Sequence, residues 1–295
     1  MFNYPVTATE IRQFMGMSVP EERLRCELDI LLREGQLFCR DGMFMLRDIA
    51  SMPARRRSGN ERAEKMLVTA RRIGRVLQHF PFVRGVGISG SLSKKYADEL
   101  ADIDFFIITK SNRLWLARTV LHLLKKFSFI VGKQHCFCMN YFIDEDAMLM
   151  PEQNIFIATE VVTLIPVAGL EVIDRFWQSN DWAFSYFPNL AVAPSVTTVK
   201  RDPVLKQGFE WLLNNRFGNS CDNLLMRITG ARWMKKELRR KLNMKGEPQS
   251  LRVGKHFGRP NPEHFQRRIL DRYAMQLKYV DAQLTPADAR VFAWK

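Results

Sequence analysis

The middle of the chain alternates between two periods of apolar residues. Runs at 83–88, 103–108 and 136–143 are short and rich in β-branched and aromatic residues, which is typical of buried strands. The segments between them, about 92–100 and 113–127, have apolar residues at helical spacing, and a further helix is predicted to begin near Asn154. Strands that alternate with helices predict an α+β fold with a mixed sheet and flanking helices.

The N-terminal segment has a different pattern. The stretches Thr7–Glu10 and Ser18–Glu21 both have the spacing of a capping box and predict two helix starts. Asp41-Gly42 lies between two alternating runs and predicts a tight hairpin. Helix, helix and hairpin are similar to a winged helix-turn-helix that lacks its first helix. The second predicted helix, 21–34, holds five acidic against three basic residues, which favours a packing or protein-contact role over DNA reading.

Charge is distributed unevenly over the 295 residues, whose formal net charge is +14. The segment 51–80 is a predicted basic linker helix, and 200–295 is predicted to consist only of helices, most of them strongly basic. The balance favours polyanionic partners, that is, nucleotides, nucleic acid or an acidic surface. The alternative is a protein that is basic without such a partner. These shifts divide the chain into four predicted parts: 1–50, 51–80, 81–199 and 200–295.

The cysteines and the apolar segments indicate a cytoplasmic protein. The five cysteines form no zinc-like pair of pairs, and Cys136 and Cys138 alternate within one strand pattern as small core residues. The N-terminus lacks the pattern of a signal peptide. The longest apolar segment, 155–173, is interrupted by Glu160 and Glu171, so no contact with a membrane is expected.

A glycine turn between the first two strands has the properties of an anion site. Gly90 lets the backbone approach a bound group closely, and Ser91 stands at a predicted helix start, where free amides favour an anion. Lys94, one turn later, adds positive charge. A Gly-Ser pair at such a junction is more often a simple turn and cap.

Two acids open the next strand. Asp102 and Asp104 are two residues apart, so both side chains lie on one face. Two close carboxylates repel each other, and a divalent cation removes that cost; magnesium prefers such oxygen ligands and bridges to phosphates. In isolation, the alternative is that Asp102 caps the preceding turn and Asp104 forms a salt bridge.

Taken together, Gly90-Ser91, ten residues and then Asp102-Ile103-Asp104 resemble the signature of the nucleotidyltransferase superfamily, which includes DNA polymerase beta. The resemblance spans about 81–189, and Ser89 departs from it because many members carry an aliphatic residue there. It implies a polymerase-beta-like fold in 81–199 and transfer of a nucleoside monophosphate from a triphosphate such as ATP, with release of pyrophosphate. It further implies Mg²⁺ or Mn²⁺ at Asp102 and Asp104, and phosphates at Gly90, Ser91 and Lys94.

The superfamily usually adds a third carboxylate from a neighbouring strand. Here the segment 138–144 offers Asn140 and Asp144, and Asn140 stands where an acid would be expected. A neutral amide is a poorer ligand for magnesium. We therefore expect Asp144 to complete the metal site and to act in catalysis, with Asp146 as a second candidate.

Other polar residues have less specific patterns. Arg113 and Arg118 on the predicted helix 113–127 could face phosphate, although such arginines more often pair with surface acids. Glu160 lies within an apolar helix pattern, where it would face the cleft or, as we expect, pair with an arginine. His256 shows no ligand-like spacing and is expected at the surface.

The sequence leaves the acceptor open. A tRNA or other nucleic acid, a protein, or a small molecule are all compatible with the mechanism, since one fold serves many functions. The rival interpretation is a non-catalytic protein that senses a nucleotide or binds nucleic acid. The charge of the C-terminal region and the amide of Asn140 favour the rival, whereas the Asp102 and Asp104 pair opposes it.

Overall fold

A computed structural model describes residues 4–130, 138–190, 203–239, 251–260 and 263–283. Within them, helices flank a six-stranded mixed sheet, and a separate two-stranded hairpin lies near the N-terminus. The α+β class with a mixed sheet and flanking helices is therefore confirmed. No helix in the described ranges is long and apolar enough to cross a membrane.

The N-terminal segment forms two helices and a hairpin: α1 (Ala8–Gln13), α2 (Glu21–Arg33), β1 (Phe38–Arg40) and β2 (Met43–Met45). The capping box at Thr7 is confirmed, since Thr7 Oγ1 accepts the Glu10 N–H at 3.2 Å and Glu10 Oε2 accepts the Thr7 N–H at 2.9 Å. The second capping box is wrong. The helix begins after Pro20, and the N–H of Val19 instead donates to Asn189 Oδ1 at 3.1 Å.

The predicted hairpin is confirmed. Asp41 and Gly42 have positive φ angles of 54° and 72°, as a tight two-residue turn requires. The predicted basic helix is the long α3 (Met52–Leu77). Its apolar stripe packs on one face of the large sheet.

The large sheet has the order β6-β3-β4-β5-β8-β7. Its strands are β3 (Val83–Ser89), β4 (Asp104–Thr109), β5 (Cys138–Asp144), β6 (Ile165–Ala168), β7 (Leu251–Val253) and β8 (Phe257–Pro260). Only β4 and β5 are parallel, and the other neighbours are antiparallel.

Helices cover both faces of this sheet. The remaining helices are α4 (Gly90–Ser93), α5 (Leu114–Ile130), α6 (Ile155–Val162), α7 (Leu170–Ser179), α8 (Trp182–Ser185), α9 (Val204–Leu213), α10 (Arg216–Leu238) and α11 (Glu263–Gln283). One core contains Phe105, Ile107 and Trp115 with α3, α5 and α10, and the other contains Phe106, Ile108 and Phe176 with α6, α7 and α8. Successive residues of β4 thus face different cores, as strand alternation requires.

Three predicted elements are corrected by the structure. The helix predicted over 92–100 is the single turn α4, after which the chain folds onto α3, where the Ala97 N–H donates to Gly59 O at 3.1 Å. The apolar run after Asn154 is divided into α6 and the edge strand β6, since a short apolar run fits either element. The region from 200 onward also contains β7 and β8, and β8 extends the sheet beside β5.

Candidate functional site

The glycine turn lies directly against one of the two predicted acids. Ser89 pairs with Asp104 at the end of the β3 and β4 ladder, and Gly90 follows with a φ of +71°. A Cβ atom at Gly90 would lie 2.7 Å from Asp104 Oδ2, closer than two such atoms approach. The positive φ therefore favours glycine at this position, and a Cβ atom here would displace the Asp104 carboxylate.

Asp102 and Asp104 lie close together, with Cys138 beside them. One carboxylate oxygen from each acid and the Cys138 Sγ all lie within 4.8 Å of one another. Asp104 and Cys138 are partners in the parallel ladder, and the Cys138 N–H donates to Ile103 O at 2.6 Å. The strand register therefore brings the thiol to the two carboxylates.

Cys138 was missed as a site residue, because its strand pattern predicted a small core residue. Its side chain is only partly buried, and Lys125 Nζ lies 3.8 Å from its sulfur. Cysteine sulfur binds metal ions as the thiolate, so Cys138 is a candidate third donor beside the two carboxylates. The signal that could have found Cys138 is the pairing of β4 with β5, which places the first residue of each strand side by side.

The glycine turn is held by Glu160, an acid of the chain itself. Glu160, on α6, accepts the Lys94 Nζ at 2.9 Å and the Gly90 N–H at 3.3 Å. Lys94 Nζ also donates to Gly90 O at 3.0 Å, whereas Ser91 is exposed. The expectation that Glu160 pairs with an arginine is wrong; it faces the glycine turn instead.

Asp144 does not join the Asp102 and Asp104 cluster, which corrects the expectation that it completes the metal site. In the parallel ladder Asp104 pairs with Cys138, and Asp144 pairs with Thr109 at the opposite end. Five residue steps along a strand separate the two ends by about 17 Å. Its neighbour Ile143 faces the core of α6 and α7, so alternation also turns the Asp144 side chain to the other face of the sheet.

Asp144 instead has a buried structural role. Its side chain is fully buried and accepts the Asn112 N–H at 2.9 Å, the Asp146 N–H at 3.1 Å and His256 Nδ1 at 2.9 Å. Burial raises the pKa of Asp144, although the hydrogen bonds from His256 and Asn112 lower it. Asp146, the second candidate, lies in this same group. The group joins the end of β5 to β8 and to the turn before α5.

His256 was also missed, because an isolated histidine in the sequence carries no spacing signal. Its Nδ1 bonds with Asp144, and its backbone oxygen accepts the Asp144 N–H at 3.0 Å. The pairing of β5 with β8 brings these two residues together over 112 positions of sequence.

The two candidate phosphate-facing arginines have different surroundings. Arg113 is buried and donates to Leu213 O at 3.0 Å and Asn215 O at 3.1 Å, so it anchors the segment between α9 and α10. Arg118 lies over the rings of Trp233, at 4.5 Å, and Trp115, at 5.6 Å. Within the described ranges, neither arginine bonds to the glycine turn.

Scans against protein-family models, curated proteins and solved structures match nothing to this chain.

Proposed function

We propose that this protein is a metal-dependent nucleotidyltransferase with a polymerase-beta-like catalytic domain. The observation that supports the proposal best is the convergence of Asp102 and Asp104 next to the Gly90 turn. Two carboxylates and an anion-binding turn are what a metal ion and a triphosphate require of one site.

The chain's own residues have separate roles in this proposal. The Gly90 N–H and the Lys94 ammonium bind the β and γ phosphates, and the exposed Ser91 hydroxyl is available to the same phosphates. The acceptor hydroxyl loses its proton to bulk water, its oxygen forms a bond to the α phosphorus, the bond from that phosphorus to the oxygen of the β phosphate breaks, and pyrophosphate leaves. Asp102 and Asp104 are the residues that would hold a divalent ion beside the glycine turn.

The side chains partly fit a divalent metal ion. Two hard carboxylates suit Mg²⁺ or Mn²⁺, whereas the Cys138 sulfur is a soft third donor that Mg²⁺ does not prefer. A bound divalent ion would neutralise the charge that develops on the leaving pyrophosphate.

In this proposal, the parts of the chain that flank the catalytic domain bind the acceptor. We take α1, α2 and the β1 and β2 hairpin as a winged-helix-like module, and the acceptor as a nucleic acid such as a tRNA, or a protein. The acidic character of α2, with Glu21 and Glu22 in its first turn, favours a protein contact for this module.

The direct test is transfer of label. Wild-type protein is incubated with each of the four α-labelled triphosphates, a cell extract, and Mg²⁺ or Mn²⁺. We expect one class of labelled product that disappears in Asp104→Asn. No labelled product and no metal-dependent nucleotide binding with any triphosphate would refute the proposal.

A second candidate function is a non-catalytic nucleotide sensor. Two observations favour it: a thiol stands beside the acids in place of a third carboxylate, and Glu160 already holds the glycine turn. In this case, wild type and Asp102→Ala would both lack turnover, while nucleic-acid binding would fall steeply with salt in both proteins.

A further inference from the structure

One face of α5 carries a line of cationic and titratable side chains. Arg118, His122 and Lys125 are four and three residues apart, so they stand one above another on this helix. Lys126 and Lys236, from α5 and α10, are close enough to depress the pKa of His122. We call these five residues, of which His122 is neutral at pH 7 and the other four are cations, the α5–α10 cationic cluster.

Arg118 occupies the inner part of this cluster. Its guanidinium lies 4.5 Å from the ring centre of Trp233, 5.6 Å from that of Trp115 and 5.9 Å from that of Phe142. Burial lowers the pKa of Arg118 to about 10. Among the described residues no carboxylate is recorded as its partner. The aromatic faces compensate part of the lost hydration, but they supply no acceptor for the guanidinium N–H groups.

His122 lies one turn further along the helix. Its Nε2 is buried and has no hydrogen-bond partner within the described part of the chain. Burial, followed by the charges of Arg118 and the lysines, lowers the pKa of His122 to about 3. A buried polar atom without a partner costs free energy. A ligand oxygen that reached this nitrogen would remove that cost.

We propose that the α5–α10 cationic cluster is a phosphate-binding site, with Arg118 and His122 at its centre, and that its ligand is the backbone of a single-stranded nucleic acid. An anion relieves the mutual repulsion of the cations and supplies the acceptor that the guanidinium lacks. Arg118 keeps part of its surface exposed, and Lys126 and Lys236 lie exposed at the rim, whereas the Nε2 atom of His122 is itself buried. A ligand can therefore reach the cluster from solvent.

A strand fits better than a free phosphate because the positive charge continues along α10. Arg227, Arg232, Lys235 and Lys236 are all exposed on this helix. Arg232 and Lys236 are four residues apart and therefore share one face of α10, about 6 Å apart along the helix axis, and Lys235 lies to one side of them. Together with Arg118 and Lys126 on α5, these side chains offer more cations than one free phosphate needs, and they can contact neighbouring phosphates of one strand.

The other end of the cluster approaches the candidate metal site. Lys125 Nζ lies 3.8 Å from the sulfur of Cys138, the residue beside Asp102 and Asp104. A nucleic-acid strand bound along α10 and α5 would thus have one end at the carboxylates. There it would serve as the acceptor of the transferred nucleotide, an assignment that rests on the proposed function. The binding of the strand does not depend on that function.

Fluorescence anisotropy with a labelled oligouridylate of about 12 nucleotides tests the site. The buffer contains EDTA and no triphosphate, so the outcome is independent of any metal or nucleotide chemistry. We expect Arg118→Met to weaken binding about tenfold and to reduce the salt slope by about one. Because Arg118 packs in a core, a second variant uses only exposed residues: Lys126→Gln with Lys236→Gln is expected to weaken binding about tenfold as well.

The matched control removes two exposed charges from another helix. Lys65→Gln with Arg72→Gln changes α3 by the same charge and is expected to reduce binding less than threefold. Equal losses in both double variants would overturn the site, because binding would then follow net charge alone. The site would also be overturned if a folded Arg118→Met protein bound the oligouridylate with the affinity of wild type. The assignment of the ligand would be overturned if wild type bound ATP but not the oligouridylate, and if Arg118→Met lost the binding of ATP.

Discussion

The carboxylate of Glu160 lies where the Gly90 turn and Lys94 would hold a phosphate. Its two oxygens accept the Lys94 Nζ at 2.9 Å and the Gly90 N–H at 3.3 Å. About a third of each charged side chain remains exposed, 30% for Lys94 and 32% for Glu160. Such an ion pair contributes about 0.2–1 kcal/mol, so a triphosphate can displace it.

Glu160→Gln is therefore expected to strengthen nucleotide binding. The variant keeps a side chain of the same size but removes the negative charge that competes for Lys94. Titration with a non-hydrolysable ATP analogue and Mg²⁺ should give about threefold to fivefold tighter binding. Glu171→Gln, which removes an exposed acid from α7, should bind like wild type. Unchanged or weaker binding by Glu160→Gln would show that the carboxylate does not compete with the nucleotide.

Gly90→Ala separates backbone strain from the contact with Asp104. Gly90 and Gly42 have nearly the same φ, 71° and 72°, but an alanine Cβ at Gly42 has nothing within 4 Å. Urea unfolding should show a loss of about 1 kcal/mol for Gly42→Ala and a clearly larger loss for Gly90→Ala. Only Gly90→Ala should weaken Mn²⁺ binding, since it displaces the Asp104 carboxylate. Equal losses in stability and unchanged Mn²⁺ affinity in both variants would contradict the role given to this turn.

Cys138→Asp tests the third donor of the candidate metal site. A carboxylate in place of the thiol supplies a third hard ligand, so Mg²⁺ should bind about tenfold more tightly by calorimetry. Cys138→Ser keeps the size and supplies a weaker neutral oxygen, and it should gain much less. Co²⁺ gives an independent measurement, because a thiolate ligand adds a near-ultraviolet charge-transfer band that both variants should lack. Absence of this band in wild type would remove Cys138 from the site.

Asp222 is expected to make the free energy of unfolding vary with pH. This buried side chain on α10 accepts the Leu116 N–H at 2.8 Å, and burial raises its pKa to about 6. The folded state therefore binds a proton more tightly than the unfolded chain, whose value is 3.8. The contribution of Asp222 is present at low pH and falls as pH rises from about 4 to 6, by up to about 3 kcal/mol.

Asp222→Asn should remove this part of the pH dependence, because an amide keeps an acceptor oxygen for the Leu116 N–H but does not titrate. The measurement is the free energy of unfolding by urea at several pH values, for wild type and variant. If the difference between the two proteins is constant between pH 4 and pH 6, Asp222 does not have a raised pKa.

Local patterns in the sequence predicted part of the site well. Asp102 lies two residues before Asp104, the first residue of β4, and their carboxylates lie close together; the turn at Gly90 follows from a glycine after a strand. The hairpin at Asp41 and Gly42 is local in the same way. Each of these features depends only on neighbours in sequence.

The misplaced residues depend on how strands pair. Asp144 was expected beside the acids, but the parallel register places it opposite Thr109. Met139 and Tyr141 pair with adjacent residues of β4, so Asn140 is an extra residue between them, as in a β-bulge. The alternation of side chains between the two faces of the sheet is therefore interrupted at this point of β5. The same strand register places Cys138 beside the two acids, and a pattern of neighbouring residues in the sequence does not show which strands pair.

The C-terminal strands were missed because they are short. β7 has 3 residues and β8 has 4, and neither makes a pattern distinct from the basic segments around it. They become strands because β8 pairs with the edge that β5 offers. The His256 contact with Asp144 follows from that pairing.

Mn²⁺ binding measured by electron paramagnetic resonance, in the presence of a non-hydrolysable ATP analogue, tests most directly whether Asp102 and Asp104 hold a metal ion that binds a nucleotide at the Gly90 turn. Wild type should bind Mn²⁺ with phosphorus coupling from the analogue, and Asp104→Asn should lose both signals while remaining folded. Wild-type protein without Mn²⁺ uptake, or Asp104→Asn with the affinity and coupling of wild type, would contradict the account.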